Sequence, residues 1–254
     1  MNIYTLGTSH GDSTNTRLNS CYVYQTDAGA LYGVDAGAPA EALIRRKQLK
    51  LRDIRALFIT HLHDDHAGGL TGLIKQIMKY PDGREAAMAL YLPESIAQFT
   101  LEAWMSTLYL PVRPESVCFR VAREGACYED DEVRVEAIRT RHVLRDGYPA
   151  SFAYALYFKK EKVKILHTGD LCADFSDFPA VALEKEFDLC LCEATHYRPQ
   201  SAAPILCKAK FARLIFVHVW DEWQDIAGEA RFLSCFSQAR YPMQFAHDGD
   251  VFTI

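Results

Sequence analysis

The chain has 254 residues, 49% hydrophobic and 24% charged, with only 14 glycines and 10 prolines, a composition that excludes disordered and collagen-like classes. No apolar run approaches the ~18 residues of a membrane span. The first thirty residues carry His10, Asp12, Arg17 and Asp27 where a secretory leader would be apolar, so a cytoplasmic protein with no membrane partner is expected. Net charge is −5 and the basic clusters are short, Arg45-Arg46-Lys47 and the Lys159–Lys164 stretch, which argues against a grip on long nucleic acid.

Strand-like runs open the chain: Asn2 to Gly7, Cys21 to Thr26 and Ala30 to Val34, separated by Gly, Asp, Ser and Asn. Pro39 to Lys50 reads as a helix with a basic end, and Ala56 to Thr60 is a continuous apolar run typical of a buried strand. Ala67 to Tyr80 reads as a helix closed by Pro81-Asp82-Gly83. A strand at Ala89 to Leu92 and a helix over Glu94 to Leu108 follow; the segment from Leu92 to Pro114, with Trp104, Met105, Leu108, Tyr109 and Leu110, reads either as an ordinary amphipathic helix or as an apolar lid or homodimer contact. Cys118 to Phe158 reads as strands, and Val163 to Leu166, Leu189 to Cys192 and Leu214 to Val217 are buried strands, the last two each preceded by a helix. Eight scattered cysteines with no Cys-x-x-Cys pair are expected to be reduced and packed as small hydrophobes. Each half starts with strands and ends with alternating strand and helix. That order suggests two sheets packed face to face in one domain over residues 1–254.

The chemistry concentrates at His61-Leu62-His63-Asp64-Asp65-His66, directly after the apolar strand. On an extended chain His61, His63 and Asp65 share a face, and His66 opens the next helix and turns back toward them. Three imidazoles and a carboxylate converging within six residues are costly to bury unless a divalent metal compensates them.

His-x-His-x-Asp-His after a buried strand resembles the signature of the metallo-β-lactamase superfamily. The resemblance extends to His142 after Arg139-Thr140-Arg141, to Asp170 in Thr168-Gly169-Asp170, and to His218 in Phe216-Val217-His218. It implies an α/β fold, a four-layer αββα sandwich of two mixed β-sheets, with two divalent metal ions. Carried over, His61, His63 and His142 hold one ion; Asp65, His66 and His218 hold the other; Asp170 bridges. Asp35 matches an early Asp that orients the ligand loop. Zinc suits this imidazole and carboxylate set best, and manganese or iron also tolerates it.

The reaction this implies is metal-assisted hydrolysis, with Asp65 as proton acceptor. Cys192-Glu193-Ala194-Thr195 is similar to a His-Glu-Ala-Thr element of ribonuclease Z, with Cys192 in place of the His. Phe245-Ala246-His247-Asp248-Gly249 resembles the end of ribonuclease Z and of cyclic phosphodiesterases, which makes His247 an auxiliary acid. The interval from His142 to Asp170 is too short for a tRNA-capturing arm, so a small phosphodiester is the favoured substrate. Lactone, ester or thioester hydrolysis is the alternative, and a flavin-partnered oxygen reductase comes last, since His61-x-His63 lacks that branch's carboxylate. His10, on the Gly-rich loop after the first strand, reads as a surface group or as a border of the pocket, His167 as a core group or a support for the ligands beside Asp170, and His196 as a structural or surface group.

Overall fold

The computed structural model describes residues 1–80, 83 and 86–254. They form two compact units, residues 1–123 with 247–254, and residues 124–246.

The first unit contains β1 (Asn2–Gly7), β2 (Cys21–Gln25), β3 (Leu31–Ala36), α1 (Ala40–Arg46), β4 (Ile54–Phe58), α2 (Asp64–Ala67), α3 (Leu70–Lys79), β5 (Met88–Leu92), α4 (Ser95–Thr107), β6 (Val117–Val121) and, from the chain end, β14 (Asp250–Thr253). Its strands form one mixed sheet in the order β14-β1-β2-β3-β4-β5-β6. Pairing is antiparallel from β14 to β3 and parallel from β3 to β6. Parallel strands need crossovers, and α1, α3 and α4 supply them. On α3, Leu70, Leu73, Ile74, Ile77 and Met78 are buried, a stripe at helical spacing. They share a core cluster with Leu43 and Ile44 of α1 and with Leu57 and Leu90 of the sheet. Truncating Leu73 or Ile74 to Ala would cost about 2–5 kcal/mol.

The helix expected over Pro39–Lys50 ends at Arg46, because Lys47 caps it and Gln48 turns the chain at φ 60°. The helix expected from Ala67 is two helices broken at Gly68-Gly69. A Cβ on Gly69 would lie 2.7 Å from the Ala36 carbonyl oxygen, to which the Gly69 N–H donates at 2.8 Å. The glycine thus lets this loop close on the end of β3. Pro81 and Asp82 of the expected stop lie outside the described residues.

The second unit contains β7 (Gly125–Glu129), β8 (Val133–Arg145), β9 (Tyr148–Phe158), β10 (Val163–His167), α5 (Val181–Glu184), β11 (Leu189–Ala194), α6 (Pro199–Leu206), β12 (Leu214–Val219), α7 (Ile226–Ser234) and β13 (Met243–Phe245). Its sheet runs β13-β12-β11-β10-β9-β8-β7, with antiparallel pairing from β7 to β10 and parallel pairing from β10 to β13. Asp146 and Gly147, at φ 51° and 82°, join β8 to β9 in a two-residue turn, the geometry that Asp-Gly favours in a hairpin. An aromatic core holds this unit together, with the Phe232 ring 4.8 Å from Phe216, 5.2 Å from Phe245 and 5.3 Å from Trp223. All eight cysteines are free thiols, and Cys21, Cys190 and Cys192 are buried.

Candidate metal centre

In the first unit the site residues follow β4. Thr60 and His61 are fully buried, and α2 starts at Asp64. His61 Nε2 and His63 Nδ1 stand 3.0 Å apart, as alternation along an extended chain requires. The alternation ends there, because Asp65 lies on the helix. Its Oδ2 is 3.1 Å from His66 Nε2.

Asp35, at the end of β3, organises this group. Its buried carboxylate accepts the Thr60 N–H at 2.8 Å, the Thr60 hydroxyl at 2.9–3.0 Å and His66 Nδ1 at 2.7 Å. Thr60 Oγ1, its own proton given to Asp35, lies 3.0 Å from His61 Nδ1 and can accept only from it. The tautomers assigned from this network place protons on Nδ1 of both His61 and His66. Each Nε2 therefore keeps a lone pair, the state a metal ligand needs. Burial pushes the Asp35 carboxyl above the usual carboxylate range, while His66 and Thr60 pull it back. Asp35 sits at φ 59°, a left-handed conformation that Asp tolerates better than most residues.

In the second unit, residues on or directly after four strands, β8, β10, β11 and β12, supply the donors. His142 lies in an irregularity of β8, where the register to β9 shifts between Thr140 and Leu144. The Ser151 hydroxyl pins that bulge, accepting the Val143 N–H and donating to the Thr140 carbonyl. Such bulges re-aim side chains beside active sites. Asp170 follows β10 after Gly169, which takes φ 55°. Asp170 Oδ2 lies 3.6 Å from His142 Nε2, 3.6 Å from His218 Nε2 and 3.7 Å from His196 Nδ1. His218 lies near the end of β12 at φ 49°, a strained conformation for a non-glycine residue. Its carbonyl is held by the Thr195 hydroxyl.

Glu193 and His196 join this cluster, although the sequence alone suggests no more than a structural or surface group at His196. One ligand atom each from Asp170, Glu193, His196 and His218 lie within 4.8 Å of one another. Glu193 is fully buried; Oε1 accepts the Leu171 N–H at 2.7 Å, and Oε2 accepts the Thr195 and His196 N–H groups at 3.0 and 2.9 Å. His196 Nδ1 is 3.0 Å from the same Oε2, so its proton sits on Nδ1. The Glu-x-x-His spacing right after a buried strand was the available signal.

His247 is 56% exposed in its side chain, with Nδ1 3.7 Å from Asp250 Oδ2. Its neighbour Asp248 ties the loop after β1 to the chain end, accepting the Thr8 N–H and hydroxyl on Oδ1 and the Leu18 N–H on Oδ2. His10 and His167 are buried. In the second unit, Asp170, Glu193, His196 and His218 offer imidazole nitrogens and carboxylate oxygens within 4.8 Å of one another, a donor set that fits a divalent transition ion; the first unit brings together further donors of the same kind on His61, His63, Asp65 and His66.

Several known proteins are similar to this chain. Human tRNase Z, short form, matches with a TM-score of 0.77 at 23% identity, covering 100% of this chain and 99% of that one. The metallo-β-lactamase fold protein YhfI from Bacillus subtilis matches with a TM-score of 0.77 at 15% identity, covering 99% and 98%. A ribonuclease Z of Prochlorococcus marinus (strain MIT 9515) is 29% identical over 148 residues, 57% of this chain and 47% of that protein. One from Bacillus thuringiensis (strain Al Hakam) is 31% identical over 144 residues, 56% and 46%. The chain spans about half the length of the curated relatives it matches.

Two mixed sheets with flanking helices give the chain the metallo-β-lactamase fold of these neighbours, and its sequence is similar to ribonuclease Z over 56–57% of its length. The family profile described as anti-Pycsar protein Apyc1 matches residues 1–234, and the chain belongs to that family.

Proposed function

We propose that this protein is a hydrolase of small phosphodiesters, working as one domain with a dinuclear metal centre. In this reading His61, His63 and His142 hold one ion, Asp65, His66 and His218 the other, and Asp170 bridges them. Zinc is the favoured ion. When bound, such ions act as Lewis acids and lower the pKa of a coordinated water toward neutrality.

The chain's own residues have separate tasks. Asp35 and Thr60 hold His61 and His66 in the ligating tautomer. Asp65 accepts the proton of the attacking water, and His247, exposed beside Asp250, donates one to the leaving oxygen. Glu193 fixes the backbone after Asp170 and the ring of His196.

The observation that carries the proposal is the paired network in which buried carboxylates fix imidazole tautomers in both units. A small substrate is favoured over tRNA by the net charge of −5 and by the His142–Asp170 interval, where β8 returns into β9 through a two-residue turn. A cytoplasmic setting is part of the proposal; among the described residues no helix is long and apolar enough to cross a membrane. A homodimer is also part of it. Phe99, Trp104 and Tyr109 of α4 and the segment after it are 64%, 55% and 92% exposed, aromatic area that a second copy would cover. The test is turnover of bis-p-nitrophenyl phosphate beside a lactone and thioester panel, with zinc, manganese and iron. Activity on acyl compounds alone would replace the proposed reaction with its alternative.

A further inference from the structure

The loop between β1 and β2 and the turn before β14 contribute no metal ligand, yet within the first unit they wall a cleft of about 470 Å³. The rest of its lining comes from Arg46 and Lys47 at the end of α1 and from three leucines, Leu6, Leu18 and Leu43. That volume lies inside the range of about 300–1,000 Å³ typical of small-molecule sites, which combine apolar walls with a few polar groups.

The charges divide into two sets. Arg17 is 2% exposed and donates to the Thr8 hydroxyl at 2.6 Å, and that hydroxyl donates to Asp248 at 2.7 Å. Asp248 also takes the Thr8 and Leu18 N–H groups. Arg17 and Asp248 therefore balance each other inside the protein, and both oxygens of the carboxylate are engaged. Arg46 and Lys47 form the second set, and among the described residues no other carboxylate lines the cleft. Cations at a helix C-terminus complement its dipole, which accounts for their position in the sequence but not for a cavity beside them. Asn15 and Thr16 add an amide and a hydroxyl at the rim. Gly249 leaves room for the Lys47 side chain, since an added Cβ would stand 3.3 Å from Lys47 Nζ.

We infer that this cleft is a binding site for a small organic phosphate, separate from the candidate metal ligands. The phosphate rests on Arg46 and Lys47, and the neutral part of the ligand lies against the leucines. Two available cations suit one phosphate group rather than a polymer backbone. The apolar wall favours a phosphate ester over the free ion.

The test is calorimetric titration of the metal-loaded full chain with adenosine 5′-monophosphate, with hydrogen exchange followed over residues 14–18 and 46–49. Expected is saturable binding that protects both segments and weakens at least tenfold in Arg46→Ala/Lys47→Ala and in Lys47→Glu. Both variants should keep the parent's melting temperature and its phosphodiester turnover within twofold, because these side chains lie at the surface. Binding of equal strength in all three proteins, absence of protection at both segments, or no binding at all would overturn the inference. Failure of the proposed metal chemistry would read differently, as absence of turnover in the parent itself.

Discussion

Replacing Asp35 separates the support of His61 and His66, proposed as metal ligands, from those histidines themselves. In Asp35→Ala the buried Thr60 N–H loses its acceptor, and so does His66 Nδ1. Each orphaned buried donor costs about 1–3 kcal/mol. Alanine at φ 59° adds about 1–2 kcal/mol of backbone strain. The sum is about 3–8 kcal/mol, a large share of the roughly 5–15 kcal/mol of a typical domain. At about 2–4 °C per kcal/mol for a chain of this size, the melting temperature should fall by about 6–30 °C. Asp35→Asn keeps one acceptor oxygen, tolerates the left-handed backbone and removes a carboxylate that burial disfavours. It should cost only about 1–2 kcal/mol. Both variants should weaken metal binding by about 10–100-fold, because the imidazole tautomers are no longer held. Scanning calorimetry and metal titration measure the two effects. Equal melting temperatures for parent, Asn and Ala proteins, or unchanged metal affinity, would refute the reasoning.

Other expectations are as specific. His63→Ala and Asp170→Ala should each abolish hydrolysis of bis-p-nitrophenyl phosphate while the fold survives by circular dichroism. His196→Ala should reduce turnover less than Asp170→Ala, since Glu193 still anchors the backbone after Asp170. Burial holds the Asp248 carboxyl above its ordinary range, against the pull of Thr8, Leu18 and Arg17. The folded state then binds this proton more tightly than the unfolded chain. The Asp248 contribution to stability therefore falls as pH rises from the ordinary carboxylate range through the raised native value. Denaturant titrations across that window should show a flatter profile for Asp248→Asn than for the parent. Phe99→Glu combined with Trp104→Glu should shift sedimentation from dimer to monomer; an unchanged sedimentation coefficient removes the dimer proposal.

Much of the fold was legible in the sequence wherever burial wrote itself as a continuous apolar run. Ala56 to Thr60, Leu189 to Cys192 and Leu214 to Val217 all coincide with buried parallel strands. Boundaries set by backbone conformation were less legible. Nothing in the apolar pattern of Pro39–Lys50 announces that Gln48 turns left-handed, and Gly68-Gly69 splits a helix for the sake of contact with β3. At the site, the histidines stood out because their types and spacing have no apolar explanation. The role of Thr60 did not, because a threonine at a strand end is unremarkable until its hydroxyl is placed between Asp35 and His61. His196 was obscured for a similar reason: it joins Asp170 through the third dimension, across β10 and β11. His142 was found by its match to a family pattern, whereas the bulge that re-aims it depends on Ser151 of the neighbouring strand.

The central claim is that the buried imidazole and carboxylate groups bind metal. Elemental analysis of the purified chain by plasma mass spectrometry, beside its His63→Ala and Asp170→Ala variants, tests it most directly. The account predicts one to two equivalents of transition metal in the parent and a clear loss in both variants. A parent protein that stays metal-free after zinc, manganese and iron have each been supplied, or variants that retain the parent's full content, would contradict it.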